Sequence, residues 1–220
     1  MVILGVLASG SGTNLQSIID AIESKKLSAR INVVISDNPG AYALERAKRH
    51  GLKTEVVTKD EYPEKEAFDG KLVSILKENG VGLVILAGFM RLLSPLFVRA
   101  FPMKIMNIHP SLLPSFTGLD VQKKALDYGV KFSGCTVHFV DEGVDTGPII
   151  IQAVLPVAAN DTPETLKKRI LGEEHRIYPQ AIQLYSEGRL TVKGRRVTVK
   201  DGGGQEGTLE NPPVCIFKDE

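Results

Sequence analysis

The chain has 220 residues, room for one α/β domain with a substantial core and a short tail. Lys and Arg total 27 against 26 Asp and Glu, so no basic excess points to nucleic acid as the main partner. Cys135 and Cys215 are far apart and form no Cys-x-x-Cys pair, which fits a reducing cytosol better than a disulfide scaffold.

Residues 2–8 are a continuous apolar run. It is too short to span a membrane, lacks the basic start of a signal peptide, and reads as a strand buried on both faces. A small-residue turn, Ser9-Gly10-Ser11-Gly12-Thr13, follows, and Leu15, Ile18, Ile19 and Ile22 then recur at helical spacing. Such a turn between strand and helix offers backbone N–H groups to an anion. No Lys follows where a Walker loop needs one, and Leu15 stands at the third glycine of the dinucleotide fingerprint. A phosphomonoester therefore suits it, although a tight connection without a ligand reads equally well from these residues alone.

Residues 31–36 read as a second strand, 42–49 as a helix stopped by Gly51, and 56–57 as a third strand. His50 falls in the last helical turn, where a cation suits the dipole, and gets no catalytic role. Residues 63–79 form an amphipathic pattern with Phe68, Leu72, Ile75 and Leu76 on one face. Residues 81–87 are another buried strand. Met90, Leu92 and Leu93 after it read on their own as core packing, and Ser94-Pro95 caps a short helix. This βαβα order predicts an open, mostly parallel Rossmann-like sheet with helices on both faces.

Residues 104–106 read as the end of a strand, and Asn107 and His109 follow two residues apart. In extended chain they point to one side, while Pro110 and Pro114 keep the next stretch out of helix. An amide and an imidazole thus stand side by side at a strand's carboxyl end, where open parallel sheets bind ligands. Spacing alone leaves a structural histidine open. A helix over 121–128 ends at Gly129, and strands over 134–140 and 149–157 form an antiparallel pair around the loop 141–148. His138 lies beside the site without a catalytic role. Asp145, between Gly143 and Gly147, reads by itself as a turn aspartate.

Asp161-Thr162-Pro163-Glu164 starts a helix that runs to about Arg176, is kinked or restarted by Pro179 and ends at Gly188. On pattern, Glu173, Glu174 and His175 form a solvated face. Residues 189–200 read as a small hairpin, and 201–220 have little apolar surface to bury and are expected to be a flexible tail. The division expected is 1–188 for the main domain and 189–220 for hairpin and tail.

Three segments together, Ser9 to Asn14, Asn107 to Pro114 with its Ser-Leu-Leu-Pro, and Val140 to Pro148, resemble the folate-dependent formyltransferases, nearest the members that formylate 5'-phosphoribosylglycinamide (GAR). The resemblance runs from residue 1 to about 188. It implies transfer of the formyl group of the cosubstrate 10-formyltetrahydrofolate to the GAR amine, giving formyl-GAR and tetrahydrofolate in de novo purine (IMP) biosynthesis. It assigns catalysis to Asn107, His109 and Asp145. It assigns the GAR phosphate to Gly12, Thr13 and Asn14, and the ribose hydroxyls to Glu174. Folate contacts fall on Lys65, Met90, Arg91, Leu92, Leu93, Asn107, Asp141, Glu142, Gly143, Val144 and Asp145. The partners implied are these two small molecules; no metal is expected, because no Cys/His cluster has ligand spacing, and the charge balance and short apolar run lead to no nucleic acid or membrane partner, for a cytoplasmic monomer or homodimer.

Two residues depart from the pattern. Lys65 replaces an Arg near the folate glutamate tail, keeping charge but losing the planar fork. Leu171 replaces a polar residue near the GAR phosphate, so phosphate affinity leans on the Gly12–Asn14 turn or on Lys167 or Lys168. The tRNA-formylating relatives carry a further basic domain, for which the roughly thirty residues after Gly188 are too few. A formyltetrahydrofolate hydrolase and a catalytically silent binder of folate or sugar phosphate are the competing readings.

Overall fold

A computed structural model describes residues 1–200; the expected tail, 201–220, lies outside the described residues. The first strand, β1 (Val2–Leu7), leads through the glycine turn into α1 (Thr13–Glu23). There follow β2 (Ala29–Ser36), α2 (Tyr42–Arg49), β3 (Thr54–Val56), α3 (Lys65–Glu78) and β4 (Leu83–Leu86). The helix α4 (Pro95–Ala100) is capped by the Ser94 hydroxyl, which accepts from the Phe97 N–H, and leads to β5 (Ile105–His109). Next come α5 (Val121–Tyr128), β6 (Phe132–Phe139), β7 (Ile149–Pro156), α6 (Pro163–Ser186), β8 (Leu190–Lys193) and β9 (Arg196–Val199).

All nine strands join one sheet in the order β3-β2-β1-β4-β5-β6-β7-β9-β8. The strands from β3 to β5 run parallel, and β6 is antiparallel to both β5 and β7. This is the expected mostly parallel sheet with an antiparallel C-terminal part. The hairpin was expected; its attachment was not. β9 lies parallel to β7 through the Ile149–Arg196 pair, so the hairpin extends the sheet edge.

Alternation along the strands sends side chains into two cores. On one face Leu4 and Val6 pack with Leu15 and Ile18 of α1 and Ile170 and Ile177 of α6. On the other, Leu7, Val33 and Ile35 pack with Phe68 and Leu72 of α3 and Phe97 of α4. Gly5 lets α3 close on β1, because a Cβ there would sit 2.3 Å from the Leu76 side chain.

The last helix is continuous through Pro179 for 24 residues, so it does not restart there. Burial of Tyr178, Ala181 and Ile182 against the sheet outweighs the one backbone hydrogen bond that proline removes. The fully buried Tyr178 hydroxyl lies 3.0 Å from the Leu86 carbonyl and 2.9 Å from the Met106 carbonyl, spanning β4 and β5. Burial raises that phenol well above its usual range. Among the described residues, no helix is long and apolar enough to cross a membrane.

Candidate active site

The sheet order reverses between β1 and β4, and the carboxyl ends of β1, β4 and β5 lie side by side there. Such a switch point leaves a crevice for ligands. The glycine turn, the segment after β4 and the Asn107–His109 pair lie at these strand ends.

Asn107 and His109 share one side of β5 at its carboxyl end, and the loop after β6 brings Asp145 to them. The Asp145 Oδ2 is 3.4 Å from His109 Nδ1, and its side chain is only 12% exposed. The same oxygen accepts from the Gly118 N–H at 3.2 Å. Asp145 has φ of 54°, a left-handed conformation that Asp tolerates better than most side chains. The other ring nitrogen of His109, Nε2, lies 2.9 Å from the Phe116 carbonyl, which can only accept, so Nε2 carries the proton.

His138 stands directly across the strand pair from Asn107. Its Nδ1 donates to the Phe139 carbonyl at 2.8 Å, which leaves Nε2 as acceptor for the Asn107 amide at 3.2 Å. That contact turns the amide nitrogen of Asn107 toward His138 and leaves its second N–H for other use. Burial holds the His138 imidazole below its usual range, against the Phe139 hydrogen bond and the Asp145 charge at 3.9 Å. His138 is thus the residue that sequence reasoning left without a role. Its signal is the β5–β6 register, hidden in the sequence by the long connection between those strands.

The glycine turn sits at the end of β1. Gly12, at φ 68°, precedes α1, and Asn14 and Glu174 meet across α1 and α6, the amide donating to the carboxylate at 2.8 Å. Both are buried, at 8% and 7% exposure, so Glu174 is not on the solvated face that its neighbours suggest. Burial raises its carboxyl pKa above the usual range; the Asn14 hydrogen bond and the Lys167 charge pull the other way. The Asn14 Oδ1 is buried with no partner. Leu171 is half-buried one turn before Glu174 and offers no polar atom.

Between these two groups runs the segment after β4. Met90 and Leu92 are 72% and 64% exposed, so they are not core residues, whereas Leu93 packs on the second core. The segment is tied down at both ends: the Met90 N–H donates to the Ser9 hydroxyl at 3.0 Å, and the Ser94 N–H to buried Asp69 at 2.6 Å. The Arg91 guanidinium lies over the Phe68 ring, 4.0 Å from its centroid. Two exposed apolar side chains beside fixed backbone groups suit a flat aromatic ligand.

In the loop before β7, Asp141 accepts from the Gly143 N–H at 3.1 Å and the Thr146 hydroxyl at 2.6 Å. Glu142 is held by Arg99 at 2.8 Å, and Val144 is exposed. Lys65, the first residue of α3, is exposed and forms no ion pair among the described residues. No cluster of three or more His, Cys, Asp or Glu among the described residues is placed to hold a metal ion. A cleft of about 840 Å³ opens at the opposite, amino edge of the sheet, by Ile3, Arg30 and Lys53, and holds none of the candidate residues.

The edge thus carries an amide, an imidazole and a carboxylate at the end of β5 and a glycine turn at the start of α1, on an α/β sheet. Residues 3–182 match the formyl transferase family model, and the chain belongs to that family. It is 41% identical over 187 residues to the phosphoribosylglycinamide formyltransferase of Escherichia coli, covering 85% of this chain and 88% of that one. It is 48% identical over 189 residues to the trifunctional purine biosynthetic protein adenosine-3 of Drosophila pseudoobscura, covering 85% of this chain but 14% of that protein's length. The crystal structure of glycinamide ribonucleotide transformylase 1 from Symbiobacterium toebii superimposes with a TM-score of 0.90 at 55% identity, covering 91% of this chain and 95% of that one.

Proposed function

We propose that the chain transfers the formyl group of 10-formyltetrahydrofolate to the amine of GAR. The observation that carries this reading is that Asn107, His109 and Asp145 meet on the sheet edge that also holds the anion turn and the Asn14–Glu174 pair.

GAR lies along that edge. The first-turn N–H groups of α1 and the helix dipole hold its phosphate, and Glu174 accepts from the ribose hydroxyls. The amine then faces the trio. The folate ring packs on Met90 and Leu92, with backbone groups of residues 90–93 and 141–145 at its polar edge, and Lys65 meets its glutamate tail.

The neutral amine attacks the formyl carbon, a C–N bond forms, and negative charge gathers on the former carbonyl oxygen. The free N–H of Asn107 and the Nε2–H of His109 donate to that oxygen, which replaces the Phe116 carbonyl as the acceptor for His109. Asp145 faces Nδ1 and stabilises the imidazolium that forms when that nitrogen takes up the amine proton. His109 and Asp145, through a water, carry the proton from the attacking amine to the folate N10, whose bond to carbon breaks.

The test is absorbance-followed loss of 10-formyltetrahydrofolate with and without GAR. Loss only with GAR is expected. Loss without GAR would make the chain a hydrolase. No loss in either case, with folate still bound by calorimetry, would make it a silent binder.

A further inference from the structure

The roles above leave Arg46 of α2 without one, yet it reaches into the glycine turn. Its Nε donates to the Ser11 carbonyl at 2.9 Å, and its Nη1 to the Gln16 side chain at 3.1 Å. The guanidinium lies 4.9 Å from the centre of the Tyr42 ring. One residue earlier in the turn, the Gly10 carbonyl accepts from the Ala43 N–H at 3.0 Å. Two successive carbonyls of the turn are therefore pinned to α2.

A trans peptide points its C=O and N–H in opposite directions. Pinning the Gly10 and Ser11 carbonyls to α2 thus aims the next two N–H groups, those of Ser11 and Gly12, away from it. Neither has a hydrogen-bond partner among the described residues. With Gly12 left-handed, successive N–H groups converge into an anion-binding concavity at the start of α1. The turn is seated closely: a Cβ on Gly12 would lie 2.7 Å from the Ala43 Cα.

We infer that Arg46 is the positioning residue of this turn, fixing the Ser11–Gly12 peptide so that its N–H faces the acceptor's phosphate. The inference rests on the proposed acceptor being a phosphate ester. It makes the planar two-point grip of the guanidinium, rather than its charge, the way Arg46 contributes to phosphate affinity. A Lys at this position keeps the charge but cannot hold the Ser11 carbonyl and Gln16 in one plane.

Arg46→Lys and Arg46→Met, each checked for folding by circular dichroism, test this against wild type. Loss of a hydrogen bond from a charged donor predicts that KM for GAR rises about tenfold or more in both variants. The KM for 10-formyltetrahydrofolate and kcat should stay close to wild type. The KM for glycinamide riboside, which lacks the phosphate, should not move. Wild-type affinity in Arg46→Lys alongside a loss in Arg46→Met would overturn positioning in favour of bare charge. Unchanged KM in both, or equal losses with the riboside, would overturn it outright. Inorganic phosphate binding, followed by calorimetry, separates this inference from the activity. If wild type fails to formylate GAR, the proposed function falls, whereas weaker phosphate binding in both variants still upholds the role of Arg46. Equal phosphate binding in all three proteins sinks it.

Discussion

Replacing Asp145 by Asn probes the trio with the least disturbance. The amide keeps the shape and keeps an oxygen for the Gly118 N–H, at 3.2 Å in the native chain. It removes the charge that faces His109 Nδ1 across 3.4 Å. At an effective dielectric of about 20, two unit charges at that separation attract by about 5 kcal/mol, an upper bound on what the carboxylate gives an imidazolium forming in the transition state. Loss of one oxyanion donor costs about 2.7–4 kcal/mol in a well-studied protease, and the Asp-to-Asn change in the Ser-His-Asp triad costs about 10⁴ in kcat. For Asp145→Asn, the expected fall in kcat is therefore about 10²–10⁴-fold. Steady-state formyl transfer with both substrates saturating measures it. Calorimetric binding of a non-reactive folate analogue and the melting temperature should stay near wild type. A kcat within about threefold of wild type would remove Asp145 from the mechanism. So would a variant that loses folate binding and turnover in equal measure, because the carboxylate would then be a folate contact only.

Glu174→Gln should separate stability from function. Burial raises the folded pKa of Glu174, so its contribution is favourable below the ordinary carboxylate value and is lost as pH rises through the folded value. Gln should therefore raise the melting temperature at neutral pH, with the advantage fading toward pH 4.5, while KM for GAR climbs about tenfold; a lower neutral-pH melting temperature would contradict this. His138 has the opposite linkage: its folded pKa is depressed, so its stabilisation is full above the usual histidine value and lost as pH falls from there through the folded value. Melting curves of His138→Gln across pH 7 to 5 should lack that part of the acid loss, and parallel curves for the two proteins would refute it. Burial pushes the Cys135 thiol up to about 12, leaving about one part in 10⁴ as thiolate at pH 8. In a Cys215→Ser background, Ellman's reagent should label Cys135 only after denaturation; rapid native labelling would contradict its burial.

The sequence's local signals carried much of the fold. The helices over 42–49 and 121–128 have the predicted bounds, because glycines at 51 and 129 stop each run. Asn107 and His109 were legible as a pair because a strand repeats every two residues. Asp145 was legible only through the family resemblance, since it reaches them through a loop whose left-handed turn has no periodicity. Glu174 shows a signal that residue type obscured. It lies four residues after Ile170 and three before Ile177, on the helix's buried stripe, yet Glu173 and His175 beside it suggest a charged surface. At Pro179 the helix continues rather than restarting, because the packing of Tyr178 and Ala181 that offsets the proline's local cost is tertiary and not visible in sequence. The place of the hairpin on the sheet edge and the Asn107–His138 contact depend on register, which local pattern does not encode.

The hydroxyl of Tyr178 acts as a gauge between the two ends of the acceptor. It is anchored on the Met106 carbonyl, one residue before Asn107, and Glu174 stands four residues back along the same helix, about one 5.4 Å turn away. The separation between the group proposed to grip the sugar and the amide proposed to receive the developing charge is therefore set by one helical turn and one peptide of strand. Neither element can stretch. On the proposed function, discrimination among amines would follow from length: an acceptor with one more methylene between ribose and nitrogen would be gripped at the sugar and held with its nucleophile out of register with the formyl carbon.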